Sequence, residues 1–158
     1  MSTQNIIQYL ETSQYNALPS GGTTPVGVGA MNRRQVETFI AAEAIAANDL
    51  VSLDLSKTGD GDKGIYIVKA DTGTATDKCA IGFALNGAIA AGETVDVTVA
   101  GIHVSANVAT TGAGASLCVG STAGRASVYT NADVFPIIAI SAESDTANVA
   151  TVFVIKQF

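Results

Sequence analysis

The chain has 158 residues, of which 47% are hydrophobic and 14% are charged, and its formal net charge at pH 7 is −6. This length suits one domain with its own apolar core, and the negative charge with few Lys and Arg residues excludes the basic groove that a nucleic-acid partner needs. The N-terminus lacks the basic and apolar regions of a secretory signal peptide, and the uncharged stretch from Val97 to Gly124 is too rich in Gly, Ser, Thr and Asn to span a membrane. We therefore expect a soluble protein made in the cytoplasm, with no nucleic-acid partner and no membrane segment.

An extended N-terminal arm is predicted for residues 1–35. Up to Asn32 the sequence carries one charge, at Glu11, and its Gly and Pro residues after Leu18 prevent a continuous helix or central strand. Ordering about 30 residues costs on the order of 30–60 kcal/mol of backbone entropy, so a fixed arm must lie on its own domain or on a partner. The residues expected to contact that surface are Ile6, Ile7, Tyr9, Leu10, Tyr15, Arg33 and Arg34.

An alanine-rich segment occurs twice, as AIAANDLVSLDL at 44–55 and as AIAAGETVDVTV at 88–99. Alanine favours a helix, but a helix ending at Ala47 would leave no connection before the strand that begins near Asp49. The second copy has Gly92 at the turn position, where a helix interior would lose roughly 1 kcal/mol. The repeat therefore predicts two equivalent β-turns, each leading into a core strand.

Alternation of apolar and polar residues with a period of two continues from Val36 to the C-terminus. The predicted strands are VETFIAAE, LVSLDL, IYIVKA, CAIGFAL, TVDVTVAGIHV, ASLCVG, ASVYT, VFPIIAIS and VATVFVIKQF. Many short strands separated by turn signals are typical of an all-β sandwich or barrel. Residues 36–158 are thus predicted to form one all-β domain, a compact β-barrel or sandwich of short antiparallel strands, preceded by the extended N-terminal arm.

No segment of the sequence predicts catalytic chemistry. The acids in the loop Asp60–Gly64 begin like a calcium loop, but the later ligands and the turn glycine are missing. The single histidine, His103, has no acid or base near it in sequence and is expected to face solvent or an interface. Cys79 and Cys118 lie in apolar runs and are expected to be small buried thiols, with a disulfide as the alternative. We expect no catalytic residue, no cofactor and no metal, and therefore no enzyme.

The segment CAIGFALNGAIAAGETVDVTVAGIHV resembles the capsid cement, or head decoration, proteins of tailed bacteriophages, whose pattern combines aG(D/E)xV with iGxA and aaaGExVxVxxxGxv. The matching residues are Asp49, Val51, Ile81, Gly82, Ala84, Ala91, Gly92, Glu93, Val95, Val97 and Gly101. The likeness spans roughly residues 36–125. It departs from the pattern at Asn48, where the family usually has Gly, and the N-terminal arm does not align.

The resemblance implies a non-enzymatic virion protein that binds the outer surface of the mature capsid and stabilises it by cementing neighbouring capsomers. Its implied partners are the major capsid protein and copies of itself in a homotrimer, and its implied location is the capsid surface, after synthesis in the host cytoplasm. The arm residues named above would then contact the capsid or a neighbouring subunit. An alternative is a head-fibre or tail β-module that binds host-surface glycans, although the sequence has few aromatic residues for sugar stacking.

Overall fold

The computed structural model describes residues 34–59, 61–62, 64–73, 79–130 and 135–156. These residues form nine β-strands and no α-helix, which confirms the all-β prediction. The strands are β1 (Arg34–Ala41), β2 (Leu50–Leu53), β3 (Tyr66–Lys69), β4 (Ala80–Ala84), β5 (Thr94–Asn107), β6 (Ser116–Val119), β7 (Ala126–Val128), β8 (Ala139–Ser141) and β9 (Val149–Val154).

The first five strands close into a barrel. Their order is β1, β3, β2, β4, β5, and the pairing of β1 with β5 completes the ring. The β1/β5 ladder is antiparallel and runs from Arg34 opposite Gly101 to Ile40 opposite Thr94. Strands β1 and β3 are parallel, whereas the other barrel pairs are antiparallel as predicted.

The remaining strands extend from the second half of β5. This second sheet has the order β5, β9, β8, β6, β7, and all of its neighbouring strands are antiparallel. A bridge between Val108 and Ala126 brings β7 back to the residue that follows β5, so the second sheet curls on itself. The 14-residue strand β5 therefore belongs to both halves of the domain.

Two apolar clusters form the core. The residues of the first cluster come from the barrel strands and the turns between them: Phe39, Ala41, Ile45, Val51, Ile67, Ile81, Ala84, Ala88, Val95, Val97 and Val99. The second cluster joins Leu50, Ala70, Ala80 and Phe83 of the barrel to residues of the second sheet such as Leu117, Ile138 and Val152. The barrel thus has its own interior, and one part of its outer surface is covered by the second sheet.

A left-handed residue precedes most strand starts. Strand β2 follows Asn48, β3 follows Gly64, β5 follows Gly92, β6 follows Gly114, β7 follows Gly124 and β9 follows Asn148, all with positive φ. Each of these strands begins one or two residues after that position. Gly and Asn adopt this conformation more readily than other residues, so the turn composition of the sequence marks where strands begin.

The two alanine-rich segments form equivalent turns, as predicted. Asn48 N donates to Ala84 O at 2.8 Å and Ala84 N donates to Asp49 O at 2.9 Å. The second turn repeats both bonds, because Gly92 N donates to Ala41 O and Ala41 N donates to Glu93 O, each at 2.8 Å. The two copies also pair with each other through the bridge between Ile45 and Ala88.

The cysteines agree only in part with the sequence prediction. Cys118 is buried in β6, whereas Cys79 is half-buried just before β4. The two do not form a disulfide. The loop Asp60–Gly64 is described only at Gly61, Asp62 and Gly64, because Asp60 and Lys63 lie outside the described residues.

Candidate functional site

A buried polar network joins the first alanine-rich turn to the second sheet. Asp49, 7% exposed, accepts hydrogen bonds from Ala46 N and from Asn107 Nδ2, both at 3.0 Å. Arg125 Nε donates to Asn107 Oδ1 at 3.1 Å. A Cβ on Gly124 would lie 2.7 Å from the Asp49 carboxyl carbon, so the backbone approaches the carboxylate closely there. The network connects the start of β2, the end of β5 and the start of β7, and each of its three side chains makes at least one hydrogen bond within it.

His103 belongs to the same buried region, so its expected exposure to solvent or an interface is wrong. The side chain is fully buried, with Nδ1 at 3.0 Å from Thr98 Oγ1 and Nε2 at 3.2 Å from Asn48 Oδ1. Its ring stacks on Phe83, with centroids 5.4 Å apart. Burial, and to a lesser extent the charge of Arg34, lowers the pKa of His103 from 6.5 to about 4.

The error over His103 has a physical cause. Alternation of apolar and polar residues in β5 favours a strand with one face open to water, yet both Val97 and Thr98 are fully buried. The second sheet covers the barrel on the side where Thr98 and Phe83 lie, so a histidine near the end of β5 is enclosed. The sequence signal for this enclosure of His103 is the length of the alternating segment TVDVTVAGIHV, which is longer than a strand of a small barrel needs to be.

One exposed apolar surface lies on the second sheet. We call it the outer face and define it by Ile102 and Val104 of β5, Val149 and Phe153 of β9, and Ile140 of β8. Phe153 pairs with Ile102 on one side and with Ile140 on the other, so these three side chains form a row across three adjacent strands. Phe153 is 47% exposed and Ile140 is 39% exposed. Contiguous exposed apolar patches of this kind are typical of interaction surfaces.

A second exposed apolar feature is the turn of the second alanine-rich copy, here called the turn tip, Ile89–Gly92. Ile89 is 89% exposed, and the three residues after it are also exposed and uncharged. The turn is fixed at its base, because Ala88 is buried and exchanges two backbone hydrogen bonds with Ile45 at 2.8 and 2.9 Å. Glu93 Oε2 accepts from Ile89 N at 2.6 Å. The turn tip therefore presents an isoleucine to solvent from a well-fixed backbone.

Of the predicted contact residues, the structure describes Arg34. Ile6, Ile7, Tyr9, Leu10, Tyr15 and Arg33 lie outside the described residues. Arg34 is the first residue of β1, is half-buried, and lies opposite Gly101 beside the outer face.

Among the residues that the structure describes, no group of three or more His, Cys, Asp and Glu side chains could hold a metal ion. Within the same part of the chain, no helix has the length and apolarity needed to cross a membrane.

These features define an all-β module with a closed barrel, a second sheet, a buried polar network and two exposed apolar surfaces. No protein-family model and no curated protein matches the chain. Among solved structures, the chain is similar to the crystal structure of the head fiber gp8.5 N base of bacteriophage phi29, with a TM-score of 0.50 and 18% sequence identity. The match covers 77% of this chain and 94% of that one, so the two share a fold.

Proposed function

We propose that this protein is a non-enzymatic structural component of a phage head, which binds the outer surface of the mature capsid and stabilises it. The observation that carries the proposal is the fold shared with nearly the whole N base of a phage head fiber. The cement-protein pattern at Ile81, Gly82 and Glu93 supports the same class of protein from the sequence. Contact with the major capsid protein, assembly as a homotrimer, synthesis in the host cytoplasm and location on the capsid surface belong to this proposal.

The turn tip is the surface that best suits contact with a protein shell. Its backbone is already fixed by hydrogen bonds at both ends, so binding would order few additional groups. It carries no charge, and burying the side chain of Ile89 would contribute roughly 1.5–3 kcal/mol. Several copies of such a contact around one capsomer would act together, which turns a weak single contact into stable attachment.

The likeness to a head fiber N base also favours a second candidate function, in which the domain is the base of a head fibre or part of a tail module. In that case the chain would attach a receptor-binding part to the particle, or would itself bind host glycans. Glycan binding normally uses exposed aromatic rings for stacking, and Phe153 is the only aromatic residue of the outer face. We therefore place glycan binding second to attachment to the head.

Binding to purified heads that lack the protein tests the proposal. We expect the full chain to co-sediment with mature heads and to raise the temperature at which they release DNA. Ile89→Ser should weaken binding by about tenfold or more, the loss expected for one buried isoleucine. Leu55→Ser is the matched control, since Leu55 is an equally apolar residue, 55% exposed, in the loop after β2. The proposal would be contradicted if the unaltered chain did not bind heads, or if its binding did not raise the temperature at which the heads release DNA.

A further inference from the structure

The outer face lies beside the point where residues 1–33 join the domain. Arg34, the first described residue, pairs with Gly101, and Gly101 pairs on its other side with Val154. The next row of the sheet is formed by Ile102, Phe153 and Ile140, which are the central residues of the outer face. The chain outside the described region therefore begins one residue away from this apolar row.

The register of β1 also gives the direction of this strand at its first residue, Arg34. Moving backwards from Gln35 to Arg34 on β1 corresponds to moving forwards from Ala100 to Gly101 on β5. Because the two strands are antiparallel, the N-terminal end of β1 points along β5 towards Ile102 and Val104. Both of these residues belong to the outer face, and Val104 is 48% exposed.

The segment has the composition and the length to cover this surface. Its first ten residues include Ile6, Ile7 and Leu10, and Leu10 precedes Arg34 by 24 residues. A Gly-rich chain of that length has a root-mean-square span of roughly 27 Å, whereas β5 and β8 are separated by about 10 Å across the sheet. The outer face is thus well within reach.

We propose that residues 1–33 cover the outer face of their own chain, with the side chains of Ile6, Ile7 and Leu10 against Ile102, Ile140 and Phe153. A segment tethered beside its binding surface has an effective concentration in the millimolar range, which a second copy of the chain at micromolar concentration does not match. Of the two surfaces on which the arm could lie, its own domain or a partner, this proposal selects its own domain. It does not depend on the proposed role in a phage head.

Photo-crosslinking of the full chain tests this inference. Phe153→p-benzoylphenylalanine places a photoreactive ring on the outer face at an exposed aromatic position, so little disturbance of the fold is expected. Leu55→p-benzoylphenylalanine, exposed on a loop of the barrel, is the matched control. After irradiation and proteolysis, mass spectrometry should find crosslinks from position 153 to residues 1–33 within one chain, about tenfold or more above the yield from position 55. The yield should not change over a roughly hundredfold range of protein concentration.

A second variant separates specific packing from chance contact. Replacing Ile6→Ser, Ile7→Ser and Leu10→Ser together in the position-153 protein should lower the crosslink yield at least about threefold, because the apolar contacts are lost. Crosslinks between chains that increase with concentration would show that a second copy covers the face and would overturn the inference. Crosslinks to other parts of the chain, or none, would overturn it as well.

Discussion

Gly82 lies in β4, where the backbone approaches that of β5 closely. Adding a Cβ atom at this position tests that close approach. A Cβ at this position would overlap the carbonyl oxygen of Thr98, which is part of a buried strand and cannot move freely. We expect Gly82→Ala to lower the free energy of unfolding by about 3 kcal/mol, measured by urea denaturation. Gly112→Ala is the matched control, because a Cβ there would meet no atom within 4 Å, and it should change stability by less than about 0.5 kcal/mol. Similar losses in the two variants would contradict the close approach of the strands.

His103 should make stability depend on pH. Because burial, with a smaller effect of Arg34, lowers its pKa in the folded state from 6.5 to about 4, the unfolded state binds the proton more readily. Stability is therefore unaffected by this group above pH 6.5, decreases as the pH falls through the window from 6.5 to about 4, and loses about 3 kcal/mol in total. His103→Gln removes the titrating group but will be less stable at pH 7. The stability difference between the two proteins should thus narrow between pH 7 and pH 4, and a constant difference would refute the effect.

The two acidic residues that follow the equivalent turns, Asp49 and Glu93, contribute differently to the free energy of unfolding. Asp49 is buried and holds both Ala46 N and the side chain of Asn107, whereas Glu93 is exposed and holds Ile89 N alone. Asp49→Ala should cost about 3 kcal/mol of unfolding free energy, because it leaves buried donors without an acceptor. Glu93→Ala, with its donor accessible to water, should cost about 0.5 kcal/mol. Equal losses in urea denaturation would mean that the Asp49 network does not hold the second sheet to the barrel.

The sequence predicts the local elements well and their arrangement less well. The repeated turn and the Asp- and Gly-rich hairpin between β2 and β3 were predictable, because turn chemistry and period-two alternation are local properties. The parallel pairing of β1 with β3 was not predictable, since it depends on closure of the barrel rather than on either strand. The division of β5 between two sheets is equally non-local, and it is the reason that the predicted exposure of His103 is wrong.

The turn tip and the outer face depend on the tertiary structure of the whole domain, so no short sequence pattern predicts them. The two alanine-rich copies each have an isoleucine after the first alanine, yet Ile45 is buried and Ile89 is 89% exposed. In the bridge between the two copies the paired and buried residues are Ile45 of the first copy and Ala88 of the second, and Ile89 follows the paired residue. The outer face likewise requires the register of β5, β9 and β8, which places Ile102, Phe153 and Ile140 in one row.

Attachment of the protein to the phage head is tested most directly by cryo-electron microscopy of mature heads that lack the protein, before and after addition of the full chain. We expect added density at regular, symmetry-related positions on the outer surface of the shell, with the barrel resolved and the turn tip at Ile89 facing the shell. Heads that show no added density at saturating protein, in a preparation whose folding has been verified, would contradict the claim that this is a structural protein of the head.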